Sequence, residues 1–330
     1  MSGSIRSKVA LHLKSFNYKQ FINDNGMTLA FIIIVIYLSF ASPNFLKTAN
    51  IINILRQVSC IGIATLGVGI LIIMNQIDLA IGSTFALTGI IAGLTVSTGA
   101  GGMGLNPILG YAAGIATALA IAYLSGLVVA KARIPAFIVT MGTMSIGRGL
   151  ALIFAHGMPI GNFPAGFTYL GSASFGPVPW TIVIFILMIA IVWYIMEKRP
   201  LGRYIYAIGS NEDAARAAGI NVDQVKLKAY LIEGALVGLA GTVLAARIKS
   251  AAPTMGMGYE LDAIAGAIIG GVSFNGGIGK VGGMVLGALL IGVINNGMDL
   301  LGVEAFYKQV VKGSIIIIAV LIDRKRSGRA

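Results

Sequence analysis

The sequence predicts an all-α polytopic membrane protein with about ten transmembrane helices. Hydrophobic residues make up 57% of the 330 positions and charged residues 11%, whereas an ordinary soluble domain carries about 25% charge. The apolar residues fall in runs of roughly 20, the length of a helical crossing, rather than in the alternation over about 10 that barrel strands require. The 45 glycines fit the same reading, because small residues let membrane helices approach closely. A single cysteine, Cys60, excludes an internal disulfide, and His12 and His156 are too few and too far apart for a metal site.

The spans follow in order. Residues 1–26 form a mostly polar N-terminal tail without a small-residue cleavage site, so the first apolar run, Met27–Ala41, reads as a retained helix. Ile51–Ser59 is an amphipathic lead-in to a second span, Cys60–Met74, and a third runs from Leu79 to about Thr98. Pro107 and Pro135 open the fourth and fifth spans, which end near Ala130 and Phe154; proline suits a first helical turn. Residues 155–178, rich in Gly, Pro and aromatics and free of charge, read as a long loop. Span six is about Pro179–Met196, followed by the one long internal hydrophilic stretch, 197–228. Spans seven to ten are Ala229–Ala246, Leu261–Val272, Val281–Met298 and Lys308–Ile322, leaving a 323–330 tail. The eighth is short and glycine-rich, the pattern of a broken or re-entrant helix.

Lys and Arg set the orientation. With ten spans and both termini cytoplasmic, 17 of them fall on the inside and five (Lys47, Arg56, Arg247, Lys249, Lys308) on the outside, with Arg148 and Lys312 within spans. This asymmetry follows the positive-inside rule and accounts for the +12 net charge without nucleic acid. Spans one to five and six to ten are of similar size. The segments Ile77–Gly82 and Glu260–Gly266 share an acid, an apolar pair and a glycine. Two diverged five-span halves in opposite orientation would explain this, as in many transporters; a chance match in so glycine-rich a chain is the other explanation.

Within 197–228, Ser210 or Asn211 is placed to cap a short helix, Glu212 and Asp213 suit its first turn, and Gly219 is the residue to end it. Ala214, Ala215, Ala217 and Ala218 give it a small, smooth surface. Such a helix is too short to stand alone and is suited to docking against a partner; a plain surface turn is the alternative. Asp213-Ala214-Ala215-Arg216-Ala217-Ala218-Gly219 resembles the Glu-Ala-Ala-x-x-x-Gly loop of bacterial ATP-binding-cassette importer permeases, with Asp213 in place of Glu. Leu201–Ile220, Gly258–Ala265, Gly270–Gly277, Asn295–Gly297 and Leu300–Val303 extend the resemblance to the monosaccharide permeases of the ribose, galactoside, xylose and arabinose type, ribose first. That family usually has Gly where this chain has Gln76.

The resemblance implies a transmembrane permease domain (27–322) in the bacterial inner membrane. It also implies a second copy of the chain, separate ATPase subunits docked through Asn211, Glu212, Asp213, Ala214, Ala215, Arg216 and Gly219, and an external sugar-binding protein. No cofactor is expected, ATP being used by the partner. The chain has no Gly-x-x-x-x-Gly-Lys-Ser/Thr phosphate loop; in Gly276-Gly277-Ile278-Gly279-Lys280 the required first glycine is Phe274, so this segment reads as a tight turn.

Polar residues at membrane depth are the candidates for the translocation path: Asn75, Gln76, Asp78, Glu260, Asp262, Asn295 and Asn296. Each has a structural alternative. Asp78 and the pair Glu260 and Asp262 are equally placed to cap spans three and eight, and the two acids of span eight could instead pair with Arg247 and Lys249. Asn295 and Asn296 suit a bond across a helix interface as well as a neutral sugar. Tyr259, Phe274 and Tyr307 could stack on sugar or anchor the interface. Glu233 and Arg148 lie deeper and each needs a partner, one option being each other. An ion-coupled secondary transporter would want more mid-membrane acids, and a membrane enzyme would want clustered His, Asp or Ser.

Overall fold

A computed structural model of the chain describes residues 18–99 and 101–327. Most of the predicted N-terminal tail and the last residues of the 323–330 tail lie outside this range, as do Arg6, Lys8, Lys14 and Arg329, counted above as inside charges. The described residues are almost entirely helical: α1 (Tyr18–Ala41), α2 (Thr48–Ile73), α3 (Ile81–Val96), α4 (Pro107–Ala132), α5 (Ala136–Phe154), α6 (Ala165–Ser172), α7 (Trp180–Trp193), α8 (Pro200–Ser210), α9 (Glu212–Ala217), α10 (Val222–Ile248), α11 (Tyr259–Ile269), α12 (Val281–Leu300) and α13 (Ala305–Ser327). A two-residue antiparallel hairpin joins β1 (Ser174–Phe175) to β2 (Val178–Pro179).

Six helices among the described residues are long and apolar enough to cross a membrane: α2, α4, α5, α10, α12, and α7 with the π-turn to Lys198 that extends it. Gly26–Ala41 of α1 and all of α3 are shorter apolar helices. At 1.5 Å per residue the 16 residues of α3 reach about 24 Å and the 11 of α11 about 16 Å, against a hydrocarbon core of about 30 Å. The glycine-rich eighth span is therefore too short to cross by itself.

The core is organised around α2 and α10, both mostly buried. Gly62, Gly67 and Gly69 of α2 bring Phe185 of α7, Glu233 of α10 and Met284 of α12 so close that a β-carbon would lie 2.4, 3.2 and 2.6 Å from them. Gly234 and Gly238 of α10 do the same for Ala122 and Ala118 of α4, and Gly241 for Thr88 and Phe85 of α3. This is small-residue packing, suited to a medium that supplies no hydrophobic drive between helices. The contacts have an exchange pattern: α10 packs on α4 and α3 as α2 packs on α12 and α11, and α3 meets α5 as α11 meets α13.

Two hydrophilic regions differ from the sequence expectation. The 155–178 loop contains α6 and the hairpin. The 197–228 stretch is nearly all helix: α8, α9 and the first turns of α10, which starts at Val222 rather than Ala229. Its charges mask helical periodicity, for Gly202, Ile205, Ile208 and Gly209 bury one face of α8 at the three-to-four spacing of an amphipathic helix. The predicted first span, in turn, extends back to Tyr18.

Candidate functional site

The short helix α9 has the predicted caps. Asn211 Oδ1 accepts from Ala214 N at 2.8 Å, and Gly219, at φ +84°, turns the chain while Gly219 N and Ile220 N donate to Arg216 O and Ala215 O, both at 3.1 Å. Successive residues turn about 100° around a helix, so the four alanines do not share a face. Ala215 is buried, while Asp213, Ala214, Ala217 and Ala218 are exposed, and these form the surface α9 presents.

Glu212 fastens α9 to α10. Its carboxylate receives Lys226 Nζ at 2.8 Å and Arg216 Nη2 at 3.3 Å, and Arg216 also reaches Asp223 at 3.1 Å. Lys226 is buried, so this is a fixed contact rather than a solvated pair. The preceding helix α8 is seated still more tightly. A β-carbon at Gly209 would lie 1.8 Å from Ile73 O at the end of α2, and one at Gly276 2.6 Å from Gly209 O. Gly277 N donates to Ile73 O at 2.7 Å. Tyr206 Oη donates to Gly279 O at 2.9 Å, and burial, followed by the charge of Glu197, pushes that hydroxyl above its ordinary range. Backbone therefore meets backbone where α8, the end of α2 and the α11–α12 turn join.

A cavity of about 380 Å³ opens beside this junction, lined by Asn75, Gln76, Ile77, Arg133, Pro135, Glu212 and Lys226 among others. It brings two path candidates, Asn75 and Gln76, next to Glu212 of α9. Asn75 (φ +58°) and Arg133 (φ +55°) on its wall are both left-handed, a conformation that costs energy in non-glycine residues and clusters at functional positions. At the far end of α3 a cavity of about 470 Å³ is lined by Leu94, Ser97, Phe154, His156 and Asn162. Between the two, an apolar groove of about 460 Å³ follows α5, lined by Leu87, Ile121, Ile138, Ile146 and Leu150.

From Asn75, packed against Gly276, the chain runs inward to Asp78, which is buried. Glu233, also buried, lies eleven residues into α10, about 16 Å along its axis. Asp78 Oδ1 accepts from Ala80 N at 2.6 Å. Ala80, not Asp78, holds the N-cap position of α3.

The start of α3 meets the start of α11. A β-carbon at Gly82 would lie 2.1 Å from Glu260 Oε2, and the rings of Phe85 and Tyr259 stack edge to face at 5.5 Å. Glu260 Oε2 is buried without a hydrogen-bond partner. Two interrupted helices thus converge inside the protein, the arrangement that directs helix-terminal dipoles at substrate in many transporters.

The remaining candidates are engaged in bonds across helix interfaces. Asp262, 2% exposed, takes Lys312 Nζ at 2.7 Å and Asn295 Nδ2 at 3.1 Å. The amides of Asn296 and Asn50 exchange hydrogen bonds at 2.9 and 3.0 Å. The options that paired Glu260 and Asp262 with Arg247 and Lys249 are not realised: among the described residues no ion pair joins them, and Arg247 donates to the Arg56 carbonyl at 3.5 Å. Nor does Arg148 pair with Glu233. It donates to the carbonyls of Pro253 and Met255, because α5 packs mainly on α3 and α4. Sequence reasoning missed Lys226, Tyr230, Gly209 and the roles of Gly276 and Gly277. One available signal was the spacing of Lys226, Tyr230 and Glu233, which sets three polar groups on one face of α10.

These features define a multi-pass membrane transport protein, with a capped helix on one face and paired interrupted helices inside. Residues 50–320 match the family described as branched-chain amino acid transport system / permease component, and the chain belongs to that family. It is 40% identical to the ribose import permease protein RbsC of Bacillus subtilis over 95% of this chain and 97% of the relative. It is 39% identical to RbsC of Escherichia coli K12 over 93% and 96%. With the D-allose transport system permease protein AlsC of Escherichia coli K12 it shares 36% identity over 94% of each. No solved structure shows significant similarity.

Proposed function

We propose that this chain is the membrane-spanning subunit of an ATP-driven monosaccharide importer of the bacterial inner membrane, with ribose as cargo. Near-full-length identity of about 40% to ribose import permeases carries this reading; allose and arabinose permeases are more distant. The partners are a second copy of the chain, ATPase subunits that receive α9, and a sugar-binding protein on the other face. ATP is hydrolysed by the ATPase subunits, and this chain needs no cofactor of its own. In this reading Asp213, Ala214, Ala217 and Ala218 seat in the ATPase. Glu212 and Lys226 pass its motion to α10, and the Gly209 junction passes it to α2 and the α11–α12 turn. The path runs along α5, where a chain of cavities follows the helix, and is closed by the second copy. Asn75, Gln76, Asp78 and Glu260 line or gate it, while Asp262, Asn295 and Asn296 hold its walls.

The same proposal has ten passes in two inverted halves, with α3 and α11 completed as passes by the irregular segments that lead into them and with both termini cytoplasmic. The exchange pattern of helix contacts and the 17-to-5 distribution of basic residues support it. Ser172 then faces outside, and a Ser172→Cys variant should react with an impermeant thiol reagent in intact cells whose outer membrane has been opened. Reaction only after the inner membrane is breached would overturn this orientation. For the function itself, the test is reconstitution of the chain with its ATPase in liposomes supplied with ribose-loaded binding protein. ATP-dependent uptake of labelled ribose is expected. Uptake by the chain alone, driven by an ion gradient, would establish the secondary-transporter alternative.

A further inference from the structure

The cavity of about 380 Å³ beside α9 has the volume of a small-molecule site, about 300–1,000 Å³. Its polar lining comes from four parts of the fold: Asn75 and Gln76 from the segment between α2 and α3, Arg133 from the end of α4, Glu212 from α9 and Lys226 from α10. Among the described residues the side chains of Asn75, Gln76 and Arg133 take no hydrogen bond or ion pair from the protein. The set is mixed. Each amide both donates and accepts, Arg133 and Lys226 only donate, and the Glu212 carboxylate only accepts. Hydroxyl groups also donate and accept, so this lining fits a neutral polyol. A phosphate or carboxylate would meet the two cations, but it would meet the charge of Glu212 on the same wall. Glu212 is also the first residue of α9, and with Lys226 and Arg216 on its carboxylate at 2.8 and 3.3 Å it keeps lone pairs to spare. A molecule held between Glu212 and the Asn75–Gln76 segment therefore joins α9 to the chain that leads into α3. The cavity shares Ile134 with the apolar groove along α5, so it is the last place sugar would occupy on leaving the proposed path.

We propose that this cavity is a cytoplasmic monosaccharide site through which sugar already imported slows further import. The proposal rests on the importer reading above, with α9 docked to the ATPase, and adds a return signal to it. Sugar hydroxyls bridge Gln76 and Arg133 to the Glu212 carboxylate. The bridge pins α9 in its present pose and resists the movement that each round of ATP hydrolysis demands.

The test uses the chain with its ATPase in liposomes, with ribose-loaded binding protein trapped in the lumen and ATP added outside. Only complexes with the ATPase outward then turn over, and the external solution is their cytoplasmic side. Millimolar ribose added outside should slow ATP hydrolysis severalfold, and betaine at equal osmolarity should not. Each variant is read against its own rate without external ribose. Arg133→Gly suits the left-handed backbone at this position (φ +55°). It should raise the half-inhibiting ribose concentration roughly tenfold, as for loss of one hydrogen bond to a charged group. No slowing by external ribose, or the same half-inhibiting concentration in wild type and variant, would overturn the proposal. Slowing by ribose 5-phosphate but not by ribose would identify an anion site and overturn it as well. Failure of the loaded binding protein in the lumen to stimulate hydrolysis would instead overturn the importer reading on which the proposal rests. A second readout needs no turnover. Cys60 is buried, so Ile77→Cys on the cavity wall provides a thiol that ribose should protect severalfold from a small alkylating reagent, relative to betaine. Equal reaction rates would place the sugar elsewhere, against the proposal.

Discussion

The starts of α3 and α11 use the same device and stabilise it differently. Each is a short helix that begins inside the protein, reached by an irregular segment, with an acid near its first turn; the two first turns touch through Gly82 and Glu260. At α11 the first turn carries two acids: Glu260 meets α3, and Asp262 is neutralised by Lys312 from α13 and steadied by Asn295. At α3 the acid is Asp78, which takes the Ala80 N–H at 2.6 Å and, among the described residues, joins no ion pair. One protein thus anchors an acid at one broken helix with a counter-charge and at the other with a backbone N–H. The first arrangement binds three helices rigidly, since removing either charge strands the other. The second ties Asp78 to the backbone of its own segment, whose Asn75, Gln76 and Ile77 line the cavity beside α9.

The largest expected effect breaks the α11 arrangement. Lys312→Met leaves Asp262 ionised, buried and unpaired. This should cost about 3 kcal/mol of stability, the low end for an abandoned buried charge because Lys312 is partly exposed. Thermal unfolding in detergent should show a large drop, recovered in most part by adding Asp262→Asn. By contrast Asp78→Asn alone should cost only about 1 kcal/mol, because the amide oxygen still accepts from Ala80 N. Equal losses at the two sites would erase the distinction between them.

Next in size is the contact between the two helix starts. A valine at Gly82 would bring its β-carbon 2.1 Å from Glu260 Oε2 and 2.5 Å from Gly256 O, and overpacking of this kind costs about 1–3 kcal/mol. Gly282 of α12, with nothing within 4 Å, is the matched control. Uptake that survives Gly82→Val as well as it survives Gly282→Val would show that the convergence is incidental to transport. Lys226→Met should act differently again. It frees Glu212 of α9 from α10, so ATP hydrolysis by the assembled complex should continue while sugar uptake falls severalfold. A parallel fall in both would place Lys226 in assembly rather than in transmission.

What could be read from the sequence follows from the range of the forces involved. Composition and run length gave the membrane fold, because hydrophobic transfer is additive along the chain. The caps of α9 were legible because Asn211, Glu212 and Gly219 act within one or two turns. Partners were not legible. Nothing local in Arg148 says that it meets the carbonyls of Pro253 and Met255 rather than Glu233; that follows from the packing of α5 on α3 and α4. Lys312 was recognisable as a charge within a span, yet its partner lies 50 residues away in the chain. The charge of the 197–228 stretch hides the buried stripe of α8. The repeated acid motif was found, but its register was not: Asp78 lies ahead of α3, while Asp262 lies within the first turn of α11.

The smallest expected effect on stability is that of Ala214→Glu in α9, and its comparison with Gly219→Val separates the shape of that helix from its surface. Gly219 is at φ +84° with open space around its missing side chain. Gly219→Val therefore meets no clash but carries the penalty of a left-handed β-branched residue, about 1–2 kcal/mol. That strain is local and should lower unfolding temperature little. Its effect should be to tilt α9 out of the pose that Asn211 and Lys226 define, so the ATPase should co-purify less and uptake should fall. Ala214→Glu tests the surface instead: Ala214 is exposed and the backbone keeps its caps, so stability should be unchanged while the ATPase is lost to bulk and charge. Ala215 cannot serve for this comparison, since it is buried and its replacement would disturb packing beneath the helix. If Ala214→Glu binds the ATPase normally and Gly219→Val does not, the partner reads the backbone turn rather than the alanine face. If both variants bind and transport normally, α9 is only the connection between α8 and α10, and the route from Glu212 through Lys226 has no partner to serve.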